Sequence, residues 1–124
     1  MLKADVLRGQ KDFSTLYNKG KSLGERYVVL FYKKNNLPYN RTGFLASKKV
    51  GKSVCRNRAR RLMKESYREL RDTIGVGYDI LFIARNTIND RKCADVKKSM
   101  EAALRRSGVA QKGSKDLKKE GVGK

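Results

Sequence analysis

Residues 54 to 65 read VCRNRARRLMKE, placing Arg56, Arg58, Arg60 and Arg61 within six positions, with Asn57 and Ala59 between them and Lys64 just beyond. Guanidinium groups stay charged at any physiological pH and fork toward the oxygens of phosphates and carboxylates, so the chemistry of this stretch is anion recognition. Asn57 adds an uncharged donor and acceptor that can reach a phosphate, a 2′-hydroxyl or a base edge. Groups that break bonds are scarce. There is no histidine to serve as a base, and the carboxylates are scattered without a paired spacing on one element. Glu65, Glu69 and Asp72 fall on one helix edge beside basic residues, where they read as intrahelical salt-bridge partners. Cys55 and Cys93 have no CxxC spacing and no histidine to complete a zinc site, so they read as small, reduced, mostly buried apolar residues. The chain itself is expected to hold no catalytic residue and no metal.

A helix must position the arginines. At about 100° of rotation per residue, Arg56, Arg60, Arg71, Lys64, Asn57, Arg68 and Arg61 fall within an arc of about 140° between Cys55 and Asp72. Cys55, Ala59, Leu62, Met63, Ser66, Tyr67 and Leu70 take the opposite arc, the apolar stripe that a surface helix packs against a sheet. Glu65, Glu69 and Asp72 fill the flank, with Arg58 among them. A solvated face intersperses both signs, whereas here Arg56, Arg60, Lys64 and Arg68 follow at i+4 steps with one sign. Each neighbouring pair repels by roughly a few tenths of a kcal/mol. A localisation tag needs no helical phase with Leu62, Met63 and Leu70, so a phosphate-binding face is the better reading.

The approach to this helix, SKKVGKS, extends the same surface. Lys48, Lys49 and Lys52 surround Gly51, and Ser53 is available as an N-cap. No glycine stands at position 46, where the Walker spacing requires one, so the likeness to a nucleotide-hydrolysing loop is superficial.

The remaining elements read as mixed α and β. Residues 10–18, QKDFSTLYN, put Phe13, Leu16 and Tyr17 on one helical face, and Gly20 stops that helix. RYVVLFYK, Arg26 to Lys33, is β-branched and aromatic and reads as a strand. NNLPYN holds the only proline and reads as a turn before a second strand over Thr42–Ser47, which makes the two a hairpin-like pair. YDILFIA, Tyr78 to Ala84, is apolar almost throughout, as a strand in the middle of a sheet would be. A last helix is expected from an N-cap at Asn89 or Asp90 to about Arg106, with Cys93, Val96, Met100, Ala103 and Leu104 at helical spacing and Ser107-Gly108 as its stop.

Composition agrees with an anionic partner. The 124 residues carry 31 Lys and Arg against 12 Asp and Glu, a net charge of +19. A folded surface so charged repels itself unless a polyanion covers it. No apolar stretch approaches the ~20 residues that span a bilayer, and the N-terminus lacks the apolar core of a signal peptide. The expected location is the cytoplasm, with no membrane partner. One domain is expected over 1–107, with a basic, disordered tail over 108–124.

These features resemble one family. GFLASKKVGKSVCRNRARRLMKE, residues 43–65, is similar to the signature region of the bacterial ribonuclease P protein subunit, with Arg56-Asn57-Arg58 matching its Arg-Asn-Arg motif. KDFSTLYNKGKS resembles the family's first helix, and YDILFIARN its central strand. The resemblance implies an α+β fold, a two-layer α/β sandwich in the order αβββαβα with a left-handed βαβ crossover, of a type shared with a ribosomal-protein domain. It therefore supplies a short strand between Lys19 and Glu25. It also implies a function, in which an RNA subunit using Mg2+ removes the 5′ leader of precursor tRNA while the protein binds both RNAs, with no oligomer required.

By the same resemblance, Arg56, Asn57, Arg58, Arg60, Arg61 and Lys64 dock on the ribonuclease P RNA. Lys48, Lys49, Lys52 and Arg68 extend that face. Phe13, Tyr17, Phe31 and Arg85 correspond to the cleft for the single-stranded leader, although Phe13 and Leu16 at helical spacing are, taken alone, more often core than platform. Phe31 and its neighbour Tyr32 point to opposite sheet faces, and the sequence leaves open which of them meets the cleft. A ribosomal or other structural RNA-binding protein is the alternative, since it would share the charge and the α/β mixture.

Overall fold

The structure, a computed structural model, describes residue 7 and residues 9–110. Helix α1 spans Gly9–Lys19 and leads into strands β1 (Lys21–Gly24), β2 (Val28–Lys34) and β3 (Arg41–Ala46). Helix α2 (Ser53–Leu70), strand β4 (Tyr78–Ala84) and helix α3 (Cys93–Ser107) follow, with 3₁₀ turns at Arg71–Thr73 and Asn86–Ile88. The order is αβββαβα, including the short β1 that only the family resemblance supplied.

The sheet runs β1-β2-β4-β3. β4 is antiparallel to β2 and parallel to β3, so β2 and β3 are not the hairpin-like pair their proximity in sequence suggested. The turn residues between them carry the chain across the end of β4 instead. Asn40 donates to Gly75 O at 2.8 Å and accepts from Tyr78 N at 2.9 Å, and Asn35 donates to Asp79 at 2.9 Å. Turn chemistry was present, but it spans a strand's width.

Period-2 alternation divides the sheet residues between two faces. Val28, Leu30, Ile80, Phe82 and Ala84 pack with Ala59, Met63, Tyr67 and Leu70 of α2 and with Val96, Met100, Ala103 and Leu104 of α3. Phe31, Leu45, Leu81 and Ile83 face the other way, toward Leu7, Phe13 and Leu16 of the α1 side. Two glycines let α1 come close. A Cβ on Gly43 would lie 3.3 Å from Phe13 Cε1, and one on Gly20 would lie 2.6 Å from Leu16 O and 2.9 Å from Tyr32 O. Gly20→Ala must therefore push backbone apart, and thermal or urea unfolding should show a loss of roughly 1–3 kcal/mol, the usual cost of overpacking.

Three boundaries differ from expectation. Asn89 and Asp90 do not cap α3: Asn89 donates to Val50 O at 2.7 Å, and Asp90 sits in the connecting loop at φ 66. Lys92 holds the N-cap position, and its N–H is accepted by the Asp95 carboxylate at 3.2 Å. Ser53 likewise opens α2 as its first helical residue, with Lys52 before it and no side-chain cap. At the other end, Gly108 stops α3 in the left-handed region at φ 84. The packed body then continues beyond the boundary at 107, because Val109 is fully buried and its carbonyl accepts from Gly75 N at 3.0 Å. The tail expected over 108–124 lies outside the described residues from 111 onward.

Both longer helices start at the same end of the sheet. β3 and β4 are parallel, so α2, which joins them, runs back against both. α3 leaves the end of β4 and returns to Gly75 through Val109.

Candidate nucleic-acid interface

Helix α2 keeps the sectors read from its sequence. Ala59, Met63, Ser66, Tyr67 and Leu70 are buried, while Cys55 and Leu62 at the margin are half-buried. Asn57, Arg61, Lys64 and Arg68 are exposed, and Arg56 and Arg60 are partly so. Ser53 accepts from Arg56 at 3.3 Å, and Asn57 Oδ1 accepts from Arg60. Among the described residues, no carboxylate pairs with Arg56, Arg60, Arg61 or Lys64. Arg68 does have a partner, Glu65 at 2.7 Å. Lys48, Lys49 and Lys52 are exposed in the turn leading into α2.

The acidic flank is not wholly intrahelical. Glu69 reaches Lys97 of α3 at 2.9 Å. The hydrogen bond from Lys97, and then its charge, lower the Glu69 pKa, while the same contacts raise that of Lys97. Arg58 leaves the flank as well, donating to Arg91 O at 2.7 Å. It ties α2 to the loop before α3 and does not hold Glu65 or Glu69. Both cysteines are free and half-buried, more open than expected.

On the opposite face of the sheet, α1 brings three predicted aromatics together. Tyr17 is 45% exposed and meets Phe31 edge-to-face with centroids 5.1 Å apart. Phe13 packs over Gly43. Phe31, not Tyr32, is the residue on the α1 face, since Tyr32 packs with the other core. Arg85 is not in this group. It follows β4, while Phe31 pairs with Leu81, which puts Arg85 about 13 Å further along the strand at ~3.3 Å per residue. Its guanidinium donates to Glu25 O at 3.0 Å. Between Phe31 and Arg85 lie Val29, Ile83 and Leu45 in one register row, all only half-buried. Sequence reading missed this floor because a nearly continuous apolar run signals two covered faces, although strict alternation along β2 marks Val29 and Phe31 as a set.

A groove of about 830 Å³ runs from the α2 front around the edge of β3 as far as Phe13. Phe13, Thr42 and Phe44 line one side, and Arg60, Lys64, Tyr67 and Arg68 the other. At its floor the Tyr67 and Thr42 hydroxyls are 3.0 Å apart. Beneath α1, Arg41 donates twice to Asp79, at 2.8 and 2.7 Å. This hydrogen bonding outweighs partial burial and raises the Arg41 pKa.

A cationic row without carboxylate partners among the described residues, on a fold that also holds rings at the other sheet surface, is the equipment of a small α+β nucleic-acid-binding protein. Sequence and fold place it further. The Ribonuclease P family model matches residues 1–108. The ribonuclease P protein component of Clostridium botulinum (strain Langeland) is 45% identical over 109 residues, covering 87% of this chain and 98% of that protein. Its counterpart from Caldanaerobacter subterraneus subsp. tengcongensis is 39% identical over 105 residues, covering 85% and 90%. The solved RNase P protein of Staphylococcus aureus superimposes with a TM-score of 0.79 at 30% identity, covering 88% of this chain and all of that one. That of Thermotoga maritima gives 0.75 at 30% identity, covering 82% and 96%. The chain belongs to the ribonuclease P protein family.

Proposed function

We propose that the chain is the protein subunit of a cytoplasmic ribonuclease P, in which it binds the catalytic RNA and the 5′ leader of precursor tRNA and promotes endonucleolytic removal of that leader. The observation that carries the reading is the row Arg56, Arg60, Arg61 and Lys64, same-sign and without carboxylate partners among the described residues, from which the β3-edge groove leads to Phe13 of α1. Lys48, Lys49, Lys52, Asn57 and Arg68 extend the row. It neutralises phosphates of the RNA subunit and releases their counterions. Tyr17 and Phe31 offer ring surface to unstacked leader bases with little sequence preference, and Arg85 meets a leader phosphate at the far end of the apolar floor.

The chemistry belongs to the RNA and its Mg2+. Arg58 holds the α3 approach through one guanidinium nitrogen and keeps its remaining N–H groups for the RNA subunit from the helix's flank.

Reconstitution with a ribonuclease P RNA at low magnesium tests the whole reading: 5′ cleavage of precursor tRNA should be stimulated, and absence of stimulation overturns it. A second measurement isolates the aromatic pair. Tyr17→Ala should weaken leader-bearing precursor by about 1–3 kcal/mol, the range for loss of one base–ring stack, and leave mature tRNA unaffected. Equal loss on both substrates would remove Tyr17 from the leader path.

A further inference from the structure

The end of the sheet where Val28, Ala84 and Ala46 share a register row carries Lys48, Lys49 and Arg85, assigned above, together with three cations that neither surface uses, Arg26, Arg91 and Lys92. Three connections meet there: the β1–β2 turn, the β3–α2 turn and the β4–α3 loop. They are tied to one another. Arg85 N donates to Tyr27 O at 2.9 Å, Thr87 Oγ1 to Arg26 O at 2.5 Å, and Asn89 Nδ2 to Val50 O at 2.7 Å. Arg58 reaches in from α2 to Arg91 O at 2.7 Å, and the Arg91 guanidinium lies 5.7 Å from the Tyr27 ring centroid. Ile88 is fully buried beneath the loop.

The outward side chains of this braced end are cations. Arg26, Lys48, Lys49, Arg85, Arg91 and Lys92 are all exposed, and among the described residues none of them pairs with a carboxylate. Of the nearby acids, Glu25 is taken by Arg106 and Asp95 by the Lys92 N–H, which leaves Asp90.

We infer that this loop end is a third RNA-binding surface, which adds Arg26, Arg91 and Lys92 to the residues that contact phosphates, and that its partner is the backbone of a helical RNA segment. The argument for a duplex is what the surface lacks and how it is held. Its one ring, Tyr27, already lies against Arg91, so no platform is offered to an unstacked base. Its cations sit on loops locked to each other, an array suited to phosphates whose own spacing a duplex fixes. Lys48 and Lys49, which continue the α2 row, stand at this same end, so the helical segment is one of the RNA subunit. The inference rests on the RNA-binding reading above.

The test uses the full chain with Arg26→Gln and Lys92→Gln together, substitutions that leave the loop bonds in place, with thermal unfolding checked against the parent. Binding is measured against salt for the RNA subunit alone, and for leader-bearing precursor and mature tRNA in the reconstituted particle. Two lost phosphate contacts should flatten the log–log salt slope by about 1.5, at roughly 0.7–0.9 each. A drop on the RNA subunit is the expected result; a drop confined to precursor and mature tRNA, equal on both, overturns the assignment in favour of the tRNA stem. Unchanged slopes for all three overturn the inference, as does a loss confined to leader-bearing precursor, which would mark a single-strand contact. A parent chain that binds none of them with salt dependence overturns the RNA reading itself.

Discussion

Reversing two charges, Arg60→Glu with Lys64→Glu, should weaken binding to the ribonuclease P RNA by two or more orders of magnitude and leave the fold intact. Both side chains stand on the open front of α2 without a carboxylate partner among the described residues, so no ion pair is lost. The substitutions also relieve like-charge repulsion at i, i+4 steps with Arg56 and Arg68. Each phosphate no longer neutralised should take about 0.7–0.9 from the salt slope. The slope should thus fall by about 1.5, and a wild-type slope in the double variant would remove the α2 front from the interface. Arg68→Glu alone should do less, because Glu65 already offsets that charge at 2.7 Å.

Asp79→Ala should produce the largest loss of stability. Its side chain is 7% exposed, accepts both bonds of the Arg41 fork and a third from Asn35, and so joins β3, β4 and the link that crosses between them. Removing one partner of a buried pair costs roughly 3–5 kcal/mol. Arg41 is 28% exposed and keeps some hydration, so about 2–4 kcal/mol is the better expectation. Urea denaturation measures it through the midpoint at unchanged slope. Asp79→Asn, which keeps the shape and part of the bonding, should lose less. A loss under about 1 kcal/mol for the alanine variant would show that Asn40 alone anchors the link. RNA affinity per folded molecule should not change, since Asp79 lies at the sheet end opposite the three cationic loops.

These two experiments fall on opposite sides of what the sequence could reveal. The α2 front was legible because 3.6-residue periodicity sorts side chains by angle without reference to anything outside the helix, and Tyr78–Ala84 stood out because a buried central strand is apolar over its full length. Pairing between strands has no such local signature, so β2 and β3 read as neighbours although β4 lies between them. Asn89 looked like a helix cap because the sequence holds no trace of its bond to Val50, 39 residues away. Arg58 was correctly singled out as lying off the basic arc, yet its partner is a backbone carbonyl, which any residue could have supplied. The same limit hid the half-covered row of Val29, Leu45 and Ile83, whose exposure depends on how far α1 extends over the sheet.

The placement of β4 also bears on how the molecule comes into being. β2 and β3 are each complete early in the chain, yet neither can close on the other, and both wait for a strand that begins at Tyr78. Sheet formation therefore requires closing a long loop that already contains the whole of α2. During synthesis the arginine helix is finished before the sheet can assemble, and no truncation ahead of Ala84 should leave a folded remainder. Folding should accordingly be governed by a single non-local event, slower than helix content alone would suggest.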